Sequence, residues 1–141
     1  MTSIARFRTA VEQRDIAALD SLFAPDVRFF SPVKFTPFEG HAMVLAVFGV
    51  LLRRVFTEFR YTGELQGEAQ TFAGEPADSH VLVFRAVVDG KQIHGIDLVH
   101  LDEQGLIKEF TVMVRPLSAV TALSDAVLAG LTAEGLVPGR T

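Results

Sequence analysis

The chain of 141 residues contains no cysteine, no tryptophan and a single tyrosine. Without cysteine there is no disulfide framework, no thiol nucleophile and no thiolate metal site. Long apolar runs are missing too. The longest, from Ala42 to Leu52, is interrupted by Gly49 and flanked by Arg53, well short of the ~20 residues that span a bilayer. No membrane association is expected. Met1 to Arg6 lack the apolar core of a signal peptide, so a cytoplasmic location is expected. Positive charge is sparse: 13 Lys and Arg stand against 17 Asp and Glu, for a net charge of -4. The basic residues are scattered rather than interleaved with aromatics, which argues against nucleic acid as a partner.

Metal-ligand spacing is absent as well. His94 and His100 share a strand face, but six residues at ~3.3 Å each put them ~20 Å apart, too far to share an ion. His41 and His80 lie elsewhere in the chain. No metal and no cofactor is expected. There is no Gly-x-Ser-x-Gly elbow, and Gly63, Gly67, Gly74 and Gly90 read as separate turn and bulge glycines rather than a phosphate loop.

What the chain has is apolar surface. Hydrophobic residues make up 49% of it, and twelve are phenylalanine. That is enough for one domain with a substantial core. The domain is expected over residues 1–131, with 132–141 as a flexible tail. Ile4, Phe7 and Val11 repeat at helical spacing behind Ser3 as the cap. Asp15 caps a second short helix carrying Ile16, Leu19, Leu22 and Phe23, which Ala24-Pro25-Asp26 stops. Val27 to Ser31 reads as a short strand ended by Pro32. A largely apolar helix follows from His41 to Phe56. The later strands run over Thr57–Gln66, Val81–Val88, Lys91–Leu101 and Leu106–Arg115, with Ala73–Asp78 as a loop and Asp89-Gly90 as a hairpin signal. On the first of these strands Phe59, Tyr61 and Leu65 are expected on one face. Ser118 is placed to cap a C-terminal helix carrying Val120, Leu123, Val127 and Leu128.

Asp97 stands out in this pattern. It sits in the middle of an apolar strand between Ile96 and Leu98, where an unpartnered charge is costly. If Gly95, Asp97 and Val99 face inward, Leu82, Phe84, Phe110, Val112 and Val114 surround the carboxyl and raise its pKa by desolvation. Such a group suits general acid or base chemistry near neutral pH. The alternative is a structural Asp held by hydrogen bonds, with Tyr61 as the candidate partner. Both faces of these strands are apolar, so both need cover. Helices serve one face, and a second copy of the sheet serves the other, which predicts a homodimer, with the C-terminal helix folded over the second face as the alternative. Arg53, Arg54 and Arg60 form a small basic cluster, read as a solvated helix end or as an anion contact at the pocket rim. Glu39 and His41 are placed near the pocket mouth.

The order helix, helix, short strand, helix and strand meander resembles the nuclear transport factor 2-like superfamily, in its SnoaL-like and ketosteroid-isomerase-like branch. Arg14 to Leu19, Leu22 to Val27, Pro37 to Gly40 and Gly95 to Ile107 carry the likeness, which extends to about Leu123. The resemblance implies an α+β, cystatin-like cone: a curved, mostly antiparallel sheet around N-terminal helices, here with a C-terminal helix. It implies a ligand pocket lined by Phe7, Phe30, Ser31, Phe48, Tyr61 and Phe84, together with Asp97, Val99, Phe110, Val112 and Val114. Asp97 matches the late-strand acid that ketosteroid isomerases keep protonated in an apolar site. The first-helix tyrosine of those enzymes falls on Phe7, which has no hydroxyl, and their base falls on Ser31, a weak base. Arg85-Ala86-Val87 breaks the Arg and Asp pattern of limonene-epoxide-hydrolase-like sites. SnoaL-like cyclases use an acid at a position like that of Asp97. The functions implied are binding of a small apolar molecule, an isomerase or cyclase using Asp97, or a dimeric interaction module.

Overall fold

The structure, a computed structural model, describes residues 1–136. Its first helix, α1 (Ser3–Glu12), buries Ile4, Phe7, Ala10 and Val11, the face that the spacing predicts. The cap is Thr2 rather than Ser3: its hydroxyl accepts from the Ala5 N–H at 3.0 Å. Asp15 caps α2 (Ile16–Leu19) as expected, accepting from the Ala18 N–H at 3.1 Å. That helix ends at Leu19 rather than running through Phe23 to a stop at Ala24-Pro25-Asp26, and those three residues lie within strand β1 (Phe23–Phe30). The register shifts between Phe23 and Arg28, and an irregular stretch of this kind accommodates Pro25, which has no N–H to donate.

After β2 (Phe38–Glu39), α3 (His41–Val50) is apolar nearly all round. The helix expected to Phe56 is α-helical only to Val50; Leu51–Val55 forms a π-helical turn. Arg14 closes that turn by donating to the carbonyls of Leu52 and Phe56.

The strands β3 (Thr57–Gln70), β4 (Pro76–Val88), β5 (Lys91–Leu101) and β6 (Ile107–Arg115) form an antiparallel meander. β3 and β4 are longer than expected, and Pro76 to Asp78 belong to β4 rather than to a loop. β1 then pairs with β6 in parallel, giving the order β2-β1-β6-β5-β4-β3. The hairpin at Asp89-Gly90 has positive φ at both residues, 48° and 76°, as a type I′ turn requires. A bulge between Tyr61 and Gly63 switches the faces of β3. Leu65 is therefore 63% exposed instead of sharing the buried face of Tyr61.

Helix α4 (Leu117–Ala133) starts at Leu117, so the cap position falls on Pro116 rather than Ser118, with no side-chain cap bond. It also runs past Thr132, where the tail was expected to begin; the remainder of that tail, 137–141, lies outside the described residues. The apolar residues of α1, α3, the π turn and α4 join the inner face of the sheet in one core. No described helix is long and apolar enough to cross a membrane.

Candidate ligand site

Alternation on β5 turns Ile93, Gly95, Asp97, Val99 and Leu101 inward. Register places Asp97 between Leu82 of β4 and Val112 of β6, with Gly95 between Phe84 and Val114, and Val99 beside Phe110. Asp97 is 5% exposed. Tyr61 reaches it from β3, where it pairs with Phe84, and its hydroxyl donates to Asp97 Oδ2 at 2.8 Å. Burial raises the Asp97 carboxyl from 3.8 to about 7, against the opposing pull of the Tyr61 hydrogen bond. The Tyr61 hydroxyl is pushed well above the ordinary phenol value, first by burial and then by the charge of Asp97. Tyr61 is itself held in place. Its N–H donates to Glu12 Oε2 at 3.1 Å, and the Arg8 guanidinium lies 5.5 Å from its ring centre.

A cavity opens beside this pair. Its walls come from α1, β1, β2, α3, the π turn, β3 to β6 and α4. Phe29, Phe48, Phe56, Phe59, Phe84 and Phe110 narrow it without filling it. About 50 Å³ remains open to the centres of water-sized groups, inside about 630 Å³ of space between atoms that continues out to solvent. Asp97 is the one carboxyl among the lining residues.

Of the expected set, Ser31, Phe48, Tyr61, Phe84, Asp97, Phe110 and Val112 meet at this cavity. The other four do not line it. Phe7 packs in the core against Phe48 and Phe110, with ring centres 5.9 and 5.2 Å away. Val99 is fully buried on the inner face but off the wall. Val114 packs over Gly95, where a Cβ would stand 2.7 Å from Val114 Cγ1. Phe30 points outward and stacks on Phe72 at 5.1 Å, because Phe29 takes the inward place on β1. The sequence reading missed Val11, Val47, Leu51 and Leu52 as wall residues, and also Leu123 and Val127 of α4. Helical periodicity marks several of these as apolar-face residues, but does not distinguish core from wall.

The remaining polar candidates lie away from the cavity. His100 is on the outer face, where its Nδ1 is 2.7 Å from Ser79 Oγ; burial lowers its pKa. His94 lies near Arg115. Arg53 and Arg54 stand in the last turn of a helical segment with half-exposed side chains, as the solvated helix end expected, and both also bind Glu134.

A SnoaL-like domain is recognised over residues 4–110, most of the chain. The chain belongs to the SnoaL-like family. No curated protein matches this SnoaL-like chain. Among solved structures, it is similar to an uncharacterized bacterial protein with a cystatin-like fold from Silicibacter pomeroyi. The two share 34% identity with a TM-score of 0.83, over 94% of this chain and 87% of the other. It is also similar to a steroid delta-isomerase from Pseudomonas aeruginosa, with 31% identity and a TM-score of 0.83, over 96% of this chain and 93% of that enzyme. A protein of unknown function with a cystatin-like fold from Xanthomonas campestris, 21% identical with a TM-score of 0.62 over 87% of this chain and 98% of the other, shares the fold.

Proposed function

We propose that this protein binds a small, flat, apolar molecule carrying one polar group, with Asp97 as the anchor. One observation carries the reading: a single carboxyl stands on an otherwise greasy wall, with Tyr61 bound to only one of its oxygens. Apolar pockets with one or two placed polar groups are the usual form of small-molecule sites. The Asp97 value of about 7 makes the anchor two-faced. Ionised, it accepts from a hydroxyl; protonated, it donates to a carbonyl.

The test uses two flat probes, 2-naphthol as a hydrogen-bond donor and 1-indanone as an acceptor. Titration calorimetry should show 2-naphthol binding more tightly above pH 7 and 1-indanone more tightly below it. Asp97→Asn should remove both pH dependences, and Asp97→Leu should cost roughly tenfold in affinity, the loss of one hydrogen bond worth about 1.4 kcal/mol. Probes that bind the Asn variant with the same affinity and pH profile would exclude Asp97 as the anchor.

The second reading is an isomerase or related enzyme with Asp97 as general acid or base. Two observations favour it: the near-neutral carboxyl and the 31% identity to a steroid delta-isomerase. Phe7 and Ser31 weigh against it, since they stand where the first-helix hydroxyl and the second acid would be needed. Ligand binding without turnover is therefore the reading preferred here. A homodimer belongs to the same proposal, supported by the only partly covered outer face of the sheet. Phe72 and Met113 are 56% and 49% exposed there, beside half-buried Val81, Val83, Ile96 and Leu98.

A further inference from the structure

The family match ends at residue 110, yet α4, which begins at Leu117, completes the cavity. Leu123 and Val127, one helical turn apart, both face Asp97's cavity. The adjoining wall includes Leu51 and Leu52 of the π turn, which packs against α4. The next two residues of that turn hold the far end of α4. Arg53 Nη2 donates to Glu134 Oε1 at 2.8 Å, and Arg54 Nε donates to Glu134 Oε2 at 2.7 Å. Thus four consecutive residues, Leu51 to Arg54, supply both wall and clamp. π-helical turns are often found at functional sites.

Two features make α4 a cover that can open. The two arginine side chains are each about half exposed, and ion pairs in contact with water are weak and screened by salt. The cavity is also narrow: about 50 Å³ is open to water-sized groups, below the roughly 300–1,000 Å³ of most ligand pockets. Something must move, and α4 is the wall element whose far end is held by a clamp of two half-exposed arginines on Glu134.

We infer that α4 is the gate of the cone: a ligand reaches Asp97 by displacing the helix, and the Glu134 clamp on Arg53 and Arg54 sets how often it opens. This rests on the cone being the ligand site.

The absence of cysteine makes a direct test simple. A Cβ built at Gly130 lies 2.6 Å from Val50 Cγ1, which puts the two Cβ atoms within disulfide range. The double variant Val50→Cys, Gly130→Cys therefore ties α4 to α3 when oxidised. Stopped-flow fluorescence should show 2-naphthol association slowed at least tenfold in the oxidised form and restored by dithiothreitol. Glu134→Gln should speed association several-fold, and high salt should do the same to the wild type. Equal association rates in the oxidised and reduced forms would overturn the gate and route the ligand past Ser31 to Val33. If 2-naphthol binds neither form nor the wild type, the ligand-site reading fails and the gate with it.

Hydrogen exchange on the wild type and Glu134→Gln needs no new bridge. The α4 amides should exchange faster than those of β4 and β5, and Glu134→Gln should accelerate α4 alone. Exchange of α4 only through global unfolding would again overturn the gate.

Discussion

A carboxyl surrounded by leucine, valine and phenylalanine is least costly when it is neutral. Burial pushes the Asp97 carboxyl up to about 7, from 3.8 as a free side chain. Between those values the folded state holds a proton that the unfolded state has lost. Its contribution to stability is fully present below pH 4, declines as pH rises toward 7, and is level above that. The span corresponds to on the order of 4 kcal/mol. Urea titrations at pH 4.5 and 7.5 should show wild type losing several kcal/mol more than Asp97→Asn across the interval. Parallel losses in the two proteins would mean that Asp97 is not the group responsible. This residue was legible in the sequence because strict alternation with Ile96 and Leu98 fixes its face, and Leu82 and Val112 flank it as the pattern implies. The neighbouring choice between Phe29 and Phe30 was not legible. Two adjacent phenylalanines leave the phase of a strand undecided, and only the packing of Phe29 on Phe48 and Phe110 settles it.

At the level of elements, Gly95 lets two walls meet. A methyl group there would stand 2.7 Å from Phe84 Cζ, from Val114 Cγ1 and from the Met113 carbonyl oxygen. The side chains can shift, but the backbone oxygen of a paired strand cannot do so without bending the sheet. Gly95→Ala should lower stability by about 1–3 kcal/mol, read as a drop in urea midpoint. Gly67→Ala, with open space around its position, is the control and should stay within about 0.5 kcal/mol. If the two variants match, Gly95 is not tightly packed. Elements governed by local chemistry were readable in the sequence: the Asp15 cap, the Asp89-Gly90 turn and the apolar run of α3. The β3 bulge and the π turn were not. Both depend on distant partners, namely Glu12 bonded to the Tyr61 N–H and Arg14 bonded to the carbonyls of Leu52 and Phe56.

For the molecule as a whole, the sheet has one face packed under helices and one only partly covered. Sedimentation at micromolar concentration should give a dimer, and Met113→Glu should give a monomer by placing a charge at the centre of an apolar contact. A monomeric wild type would exclude the dimer. The cone was legible in the order of elements, but the role of α4 was not, since an apolar helix face reads the same whether it covers a core or closes a cavity.

The β1–β6 pairing has its own consequence. Phe29 sits beside Phe110, about 80 residues further along the chain, while every other strand pair joins near neighbours in sequence. Closing so long a loop is entropically late work. During synthesis the phenylalanine-rich first third of the chain is complete before the strand it must dock against exists. Part of its greasy surface has no strand to cover it until β6 is made, and the parallel seam carries the largest loop-closure cost in the sheet.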